Sequence, residues 1–302
     1  SLLVLLDPLS LVLLAPSLPL PITRPNMIVY PNAKINLGLY VVGKRPDGYH
    51  LLETGFLPIP LCDTLEIEPS QGLADELVVE GGIETGATED NLVLRAVCAL
   101  RAKYPIPPLH IRLTKVIPSG AGLGGGSADA TFTLCALNEL FALGLTSEEL
   151  EAVALTLGAD CPIFVRNAPA VGRGIGEVLS PLAVEHLGGL YLTVVKPELH
   201  VVTREAFRGL REIGPRAVPI EQTLAQPIEQ WRGELTNAFE GSLFPLYPEL
   251  ERLKTQLYDL GATFALLTGS GAALYALSRD PLPLGELEGS GLFIWQGKLP
   301  SA

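Results

Sequence analysis

Basic residues are in short supply in this chain of 302 residues, where 21 Lys and Arg stand against 33 Asp and Glu for a formal net charge of -12. No stripe of positive charge can track a phosphodiester backbone, which argues against nucleic acid as a partner. A small anion is still acceptable, because one loop can reverse the global sign locally. Cysteine is equally scarce. Cys62, Cys98, Cys135 and Cys161 form no C-x-x-C pair and read as buried free thiols of a reducing, cytoplasmic compartment. His50, His110, His186 and His200 make no zinc cluster with them or with each other. Any metal is expected to be a hard ion held by oxygen ligands and substrate phosphate, with no side chain assigned to it.

Long apolar runs are also missing. Residues 2–20 are leucine-rich, but Asp7, Pro8, Pro16 and Pro19 break them well short of the roughly 20 residues that span a bilayer. No basic segment precedes them, as a secretory signal requires, so no membrane association is expected. Methionine occurs once, at Met27, immediately before the first well-patterned strand. We expect the natural start there, with 1–26 an apolar leader or misassigned stretch outside the fold.

What the chain does have is an apolar content of 48% and a length that suits about two domains with their own cores. Its most informative stretch is Pro118-Ser119-Gly120-Ala121-Gly122-Leu123-Gly124-Gly125-Gly126-Ser127-Ala128-Asp129-Ala130. Upstream, Leu109, Ile111 and Leu113 alternate with polar residues at a strand's period; downstream, 130–143 reads as an apolar helix. Glycines at such a junction let backbone N–H groups approach a ligand closely, and the following helix adds unpaired donors and the positive end of its dipole. The combination suits phosphate. It is no dinucleotide fingerprint, since no acidic residue closes a second strand about twenty residues on. Nor is it a P-loop, because Gly126 stands where that pattern requires lysine.

The missing lysine has to come from elsewhere. Ala33, Ile35, Leu37, Leu39 and Val41 alternate with Lys34, Asn36, Gly38 and Tyr40, which predicts a strand with one apolar and one polar face. Lys34 and Asn36 then point the same way. Arg45-Pro46-Asp47-Gly48 is a turn, with Tyr49 starting the return segment. Helices are expected over 89–103, over 146–157 behind the capping box Thr146-Ser147-Glu148-Glu149 and ahead of Gly158, and over 248–260 before Gly261. Asp160 follows the second of these, where a helix end can fix an acid. Residues 191–195 read as a strand, and Leu267-Thr268-Gly269-Ser270-Gly271 as a small-residue turn that packing and ligand contact explain equally well. The glycines of 171–176 suggest a domain boundary, giving an ATP-binding domain over 27–175 and a substrate-side domain over 176–302.

An anion loop, a strand lysine and a fixed aspartate are the parts of phosphoryl transfer, in which amides, cation and Mg²⁺ stabilise spreading negative charge while the acid orients a hydroxyl. The set 31–37, 118–130, 157–162 and 267–271 resembles the motif series of the GHMP small-molecule kinases, in order and in spacing. Asp47-Gly48-Tyr49-His50 followed by Glu53-Thr54 narrows the likeness to the branch that phosphorylates the 2-hydroxyl of a cytidine-diphosphate methylerythritol in non-mevalonate isoprenoid biosynthesis. The resemblance runs from about Met27 to the C-terminus, and Thr131 and Cys161 are its mild departures.

The resemblance implies an α+β, two-domain GHMP kinase fold, ATP as co-substrate with Mg²⁺, and a monomer or weak homodimer. It makes Asp160 the acceptor or orienter of the substrate hydroxyl proton, with Lys34 holding Asp160 and the moving phosphate and Asn36 supporting both. Residues 118–128 would wrap the ATP phosphates, and Asn91 and Lys115 would line the adenine pocket. The rings of Tyr49 and Phe207 would sandwich the cytosine, His50 would bond its edge, and Phe56 and Thr203 would be lesser substrate contacts. The rival readings are a mevalonate-like or homoserine kinase, for which an aromatic base clamp has no purpose, and a catalytically silent nucleotide-binding regulator, against which the intact Lys34 and Asp160 speak.

Overall fold

The computed structural model describes residues 25–83, 90–210, 213–287, 289 and 291–301, so 1–24 of the expected leader lie outside it. Along the chain, strands β1 (Met27–Val29), β2 (Asn32–Lys44), β3 (His50–Cys62), β4 (Thr64–Pro69) and β5 (Glu76–Glu80) come first. Helix α1 (Leu92–Arg101), strand β6 (Leu109–Thr114) and helices α2 (Gly125–Leu140), α3 (Ser147–Leu157) and α4 (Ile163–Arg166) follow. Next come β7 (Ala170–Arg173), β8 (Val178–Pro181), β9 (Tyr191–Lys196), α5 (Thr203–Arg208), α6 (Ile220–Leu224), α7 (Glu240–Leu243) and α8 (Pro248–Asp259). Strands β10 (Phe264–Leu267), β11 (Leu274–Ser278) and β12 (Phe293–Lys298) end the order. They build three four-stranded sheets, β1-β4-β6-β5, β2-β3-β7-β8 and β10-β11-β9-β12. Pairing is antiparallel apart from β5 beside β6, and the content is mixed α+β, as expected.

Capping chemistry fixes the helix ends. Asn91 accepts from the Val93 N–H and starts α1 there, inside the expected 89–103, of which Glu89 lies outside the described residues. Thr146 and Glu149 close the capping box of α3 as read. Pro248 opens α8, and Gly261, at φ 105°, follows its last turn. Helix α2 begins five residues earlier than expected, because left-handed Gly124 (φ 73°) serves as its N-cap and the last glycines of the run form its first turn. It also stops short of Leu143, where Ala142 turns left-handed and Asn138 binds the backbone of Leu145.

Both faces of the β2–β3 ribbon are covered. Ala33, Ile35 and Leu37 pack with Leu57, Ile59 and Leu61 onto Leu192, Val194, Phe264 and Tyr275 of the C-terminal half. On the opposite face Phe56 meets Ala128, Ile163 and Phe164. Lys34 and Asn36 share a face, as expected, and both are buried there. The reason is tertiary: α2 and α4 lie over the residues that alternation alone would leave in water. Residues 171–176 belong to β7 and its turn into β8, which together extend the β2–β3 sheet, so a cut after residue 175 would split a hairpin. Of the cysteines only Cys161 is buried; Cys62 and Cys135 are half-buried and Cys98 is exposed, all as free thiols. Among the described residues no helix is long and apolar enough to cross a membrane.

Candidate active site

Lys34 projects from β2 into the angle between the glycine loop and the α3–α4 junction. Its Nζ donates to Asn36 Oδ1 at 2.7 Å and to the Gly122 carbonyl at 3.1 Å, and it pairs with Asp160 Oδ2 at 3.2 Å. Those three partners use the three donors of an ammonium group. The lysine side chain is 2% exposed and that of Asp160 is 40% exposed, so a buried cation presents a carboxylate to the cleft. Asn36 is itself locked: its Nδ2 donates to Thr54 Oγ1 at 2.9 Å, and its N–H donates to Thr268 Oγ1 at 3.0 Å. Phe56, expected as a substrate contact, is buried with its ring centroid 5.5 Å from the Lys34 ammonium, a cation–π floor for that group.

The glycine loop is an arch with positive φ at Gly120, Gly122 and Gly124. At Gly124 a Cβ would sit 3.0 Å from the Phe164 ring and 3.2 Å from Lys34 Cε, and at Gly122 it would collide with the Thr268 carbonyl oxygen. Only glycine lets the loop approach its neighbours this closely. The small-residue turn between β10 and β11 is one of them, since Ala272 N donates to Gly120 O at 3.3 Å and Ala273 N to Ala121 O at 3.1 Å. Asn237 holds that turn from behind, donating to Leu267 O and Gly269 O. Past Gly124, the first turn of the 16-residue α2, with Gly125, Gly126 and Ser127, offers unpaired N–H groups and a positive dipole end. Asn91 caps the neighbouring helix, and Leu92 lies 3.6 Å from where a Cβ on Gly126 would be. Lys115 is buried beside the loop with its ammonium on Asp63 and on Asp129 Oδ2 at 2.7 Å.

At the other end of the cleft, the His50 ring stacks on Phe207 with centroids 4.7 Å apart and planes 21° from parallel, while Phe207 meets Phe239 edge-on at 4.8 Å. Tyr49 is exposed and lies by Arg45, with 5.9 Å from guanidinium to ring centroid. The structure thus brings Phe207 together with His50 rather than with Tyr49, because successive residues entering β3 face opposite ways. Burial, and secondarily Lys44, lower the His50 pKa from its ordinary value. Thr203 Oγ1 lies 3.3 Å from Ser270 Oγ, linking α5 to the same turn. Sequence reading missed His200, whose Nδ1 lies 3.2 Å from where a Cβ on Gly120 would be. Its place three residues before Thr203 was the available signal. The buried partners Thr54 and Asp63 carry no chemistry in sequence alone. A cavity of about 510 Å³, lined by Tyr40, Arg216, Asn237 and Glu240 among others, opens along the outer edge of β2 and contains neither Lys34 nor Asp160.

A glycine arch leading into a helix N-terminus, backed by a lysine–aspartate pair on an α+β scaffold, is the arrangement of a small-molecule kinase. The GHMP kinases N terminal domain matches residues 91–167 and the GHMP kinases C terminal domain matches 220–287. The chain belongs to the GHMP kinases. It is 49% identical over 91% of its length to all of the 4-diphosphocytidyl-2-C-methyl-D-erythritol kinase of Porphyromonas gingivalis. The enzyme of that name from Symbiobacterium thermophilum is 38% identical, over 82% of this chain and 89% of that one. A crystal structure of 4-(cytidine 5'-diphospho)-2C-methyl-D-erythritol kinase superposes with a TM-score of 0.77 at 36% identity, covering 91% of this chain and 100% of that one. Mevalonate kinase of L. major, at 19% identity and TM-score 0.67 over 94% of this chain and 99% of that one, shares the fold.

Proposed function

We propose that this chain transfers the γ-phosphoryl group of ATP to the 2-hydroxyl of 4-diphosphocytidyl-2-C-methyl-D-erythritol, a step of non-mevalonate isoprenoid biosynthesis. The observation that carries the reading is the bond set of Lys34, which ties the cleft carboxylate of Asp160 to Gly122 of the anion loop. Acceptor and donor ends of a phosphoryl transfer therefore share one network. The relatives named above supply the substrate, and the His50–Phe207 stack gives a place for its base.

The loop over 118–128 and the first turn of α2 receive the ATP phosphates, their N–H groups aimed at negative charge without reorganisation. Asp160 accepts the hydrogen bond of the substrate hydroxyl and orients its oxygen toward the γ-phosphorus. In a loose transition state little basicity is needed. Lys34, dry and held by Asn36, offsets the charge that accumulates between the two. Mg²⁺ would neutralise the phosphate oxygens. The cleft carboxylate of Asp160 is a hard oxygen donor that would hold it, and Mg²⁺ keeps most of its shell as water and phosphate. A neutral His50 can both donate to and accept from the cytosine edge, with the Phe207 ring stacked behind it.

An ADP-release assay with the cytidine substrate, its uridine analogue and mevalonate tests this. Turnover is expected with the cytidine substrate and should fall with uridine. Turnover of mevalonate alone would replace the substrate, and no ADP release with any of these alcohols would favour a nucleotide-binding regulator.

A further inference from the structure

Beneath the glycine arch lies a dry charge cluster that the phosphoryl-transfer scheme does not use. Asp63, Lys115 and Asp129 are all buried. The chain enters the arch through Val116 and Ile117, whose N–H groups donate to Asp63 Oδ1 at 2.5 and 2.8 Å. It leaves through α2, where Asp129 Oδ2 accepts from Lys115 Nζ, the same ammonium that binds Asp63 Oδ2. One lysine therefore joins both feet of the loop. The Asp63 N–H donates in turn to Pro31 O at 2.8 Å, at the threshold of the strand that carries Lys34. Above the cluster, a Cβ on Gly125 would meet Ile117 Cγ2 at 2.8 Å and Lys115 Nζ at 3.5 Å, so the first residue of α2 rests directly on the brace.

We infer that Asp63, Lys115 and Asp129 are positioning residues for ATP, forming a brace that holds the two feet of the glycine arch in the shape that receives the phosphates. The inference rests on the reading of that arch as the ATP site. It moves Lys115 from a contact in the adenine pocket to a part acting through the loop, because its ammonium is committed to two carboxylates. Stability alone gives no reason for the cluster, since apolar side chains of similar volume would fill a dry space without the desolvation cost of three charges. An anion loop that must hold its amides fixed does give one.

The brace also has a charge state. Asp129 Oδ1 is buried without a hydrogen-bond partner. Burial, and the nearby Asp63, push the Asp129 carboxyl up to about 7 against the pull of Lys115; these two are the charged groups that face it. Bound ATP adds negative charge above the cluster and so favours the protonated carboxyl. By linkage, ATP affinity falls as pH rises through that range.

Calorimetric titration with the non-hydrolysable analogue AMP-PNP and Mg²⁺ tests both statements without any alcohol acceptor. Lys115→Met should weaken binding by about tenfold or more. Wild type should bind more weakly at about pH 8.5 than at about pH 6, and Asp129→Asn should flatten that difference. The isosteric asparagine keeps an acceptor for Lys115, so it tests the inference even where Lys115→Met fails to fold. Unchanged affinity in a folded Lys115→Met, or an unaltered pH profile in Asp129→Asn, would overturn the brace. Failure of wild type to bind the analogue would instead sink the reading of the arch as an ATP site.

Discussion

Lys34 is the residue around which the site is arranged, since every one of its donors is spoken for and only the carboxylate it holds reaches the cleft. Asp160→Asn keeps the shape and loses the strong acceptor, so turnover should drop by about 10²- to 10⁴-fold while AMP-PNP binds as before. Full turnover in that variant would remove Asp160 from the mechanism. Truncating Phe207 to alanine removes a stacking face worth about 1–3 kcal/mol, which predicts a raised KM for the cytidine substrate and an unchanged KM for ATP. His50 adds a pH signature. With its pKa lowered by burial and by Lys44, the imidazole stays neutral through the neutral range, so KM for the cytidine substrate should be flat there and rise only as pH falls below the usual imidazole range. A KM that rises instead on going alkaline would mean that the protonated ring is the binding form. Asp129 works the other way on stability. Its raised pKa lets the folded chain keep a proton that the unfolded chain has released between the ordinary carboxyl value of 3.8 and about 7. Stability should therefore fall as pH rises across that window, and thermal melts of Asp129→Asn should lack this component.

At the scale of elements, the glycine arch and the β10–β11 turn are one unit, because Gly122 has room for no side chain against Thr268. Gly122→Ala combines that collision with a left-handed φ of 74°, so it should weaken AMP-PNP binding and lower the melting temperature together; an alanine variant with wild-type affinity would show that the two elements need not touch. Helix α3 offers a control. Thr146→Ala removes one half of its capping box and should cost about 1 kcal/mol in denaturant unfolding with kcat unchanged. Such caps are why the helices were legible in sequence: Thr146 with Glu149, Pro248, Gly158 and Gly261 mark ends by local chemistry. The start of α2 was not, because glycine reads as loop until a left-handed N-cap turns it into the first helical turn.

Across the whole molecule the site lies where the two halves of the chain meet, with Lys34, the arch and Asp160 from the first and Thr268, Thr203 and Phe207 from the second. The first set was legible because each residue sits in a short motif of its own. Asp63 and His200 were hidden, since a lone residue after a strand or on a connecting segment acquires meaning only from what tertiary packing sets beside it. The burial of Lys34 and Asn36 was hidden in the same way, because alternation reports which residues share a face, not what covers it.

The central claim is that this cleft phosphorylates a cytidine-diphosphate alcohol at the Lys34–Asp160 pair. Phosphorus NMR of 4-diphosphocytidyl-2-C-methyl-D-erythritol incubated with Mg²⁺ and ATP tests it most directly. Wild type should produce a new phosphomonoester resonance on the 2-oxygen together with ADP, and Asp160→Asn should leave the substrate spectrum unchanged over the same interval. A product phosphorylated elsewhere, no product with wild type, or equal product from the variant would contradict the account.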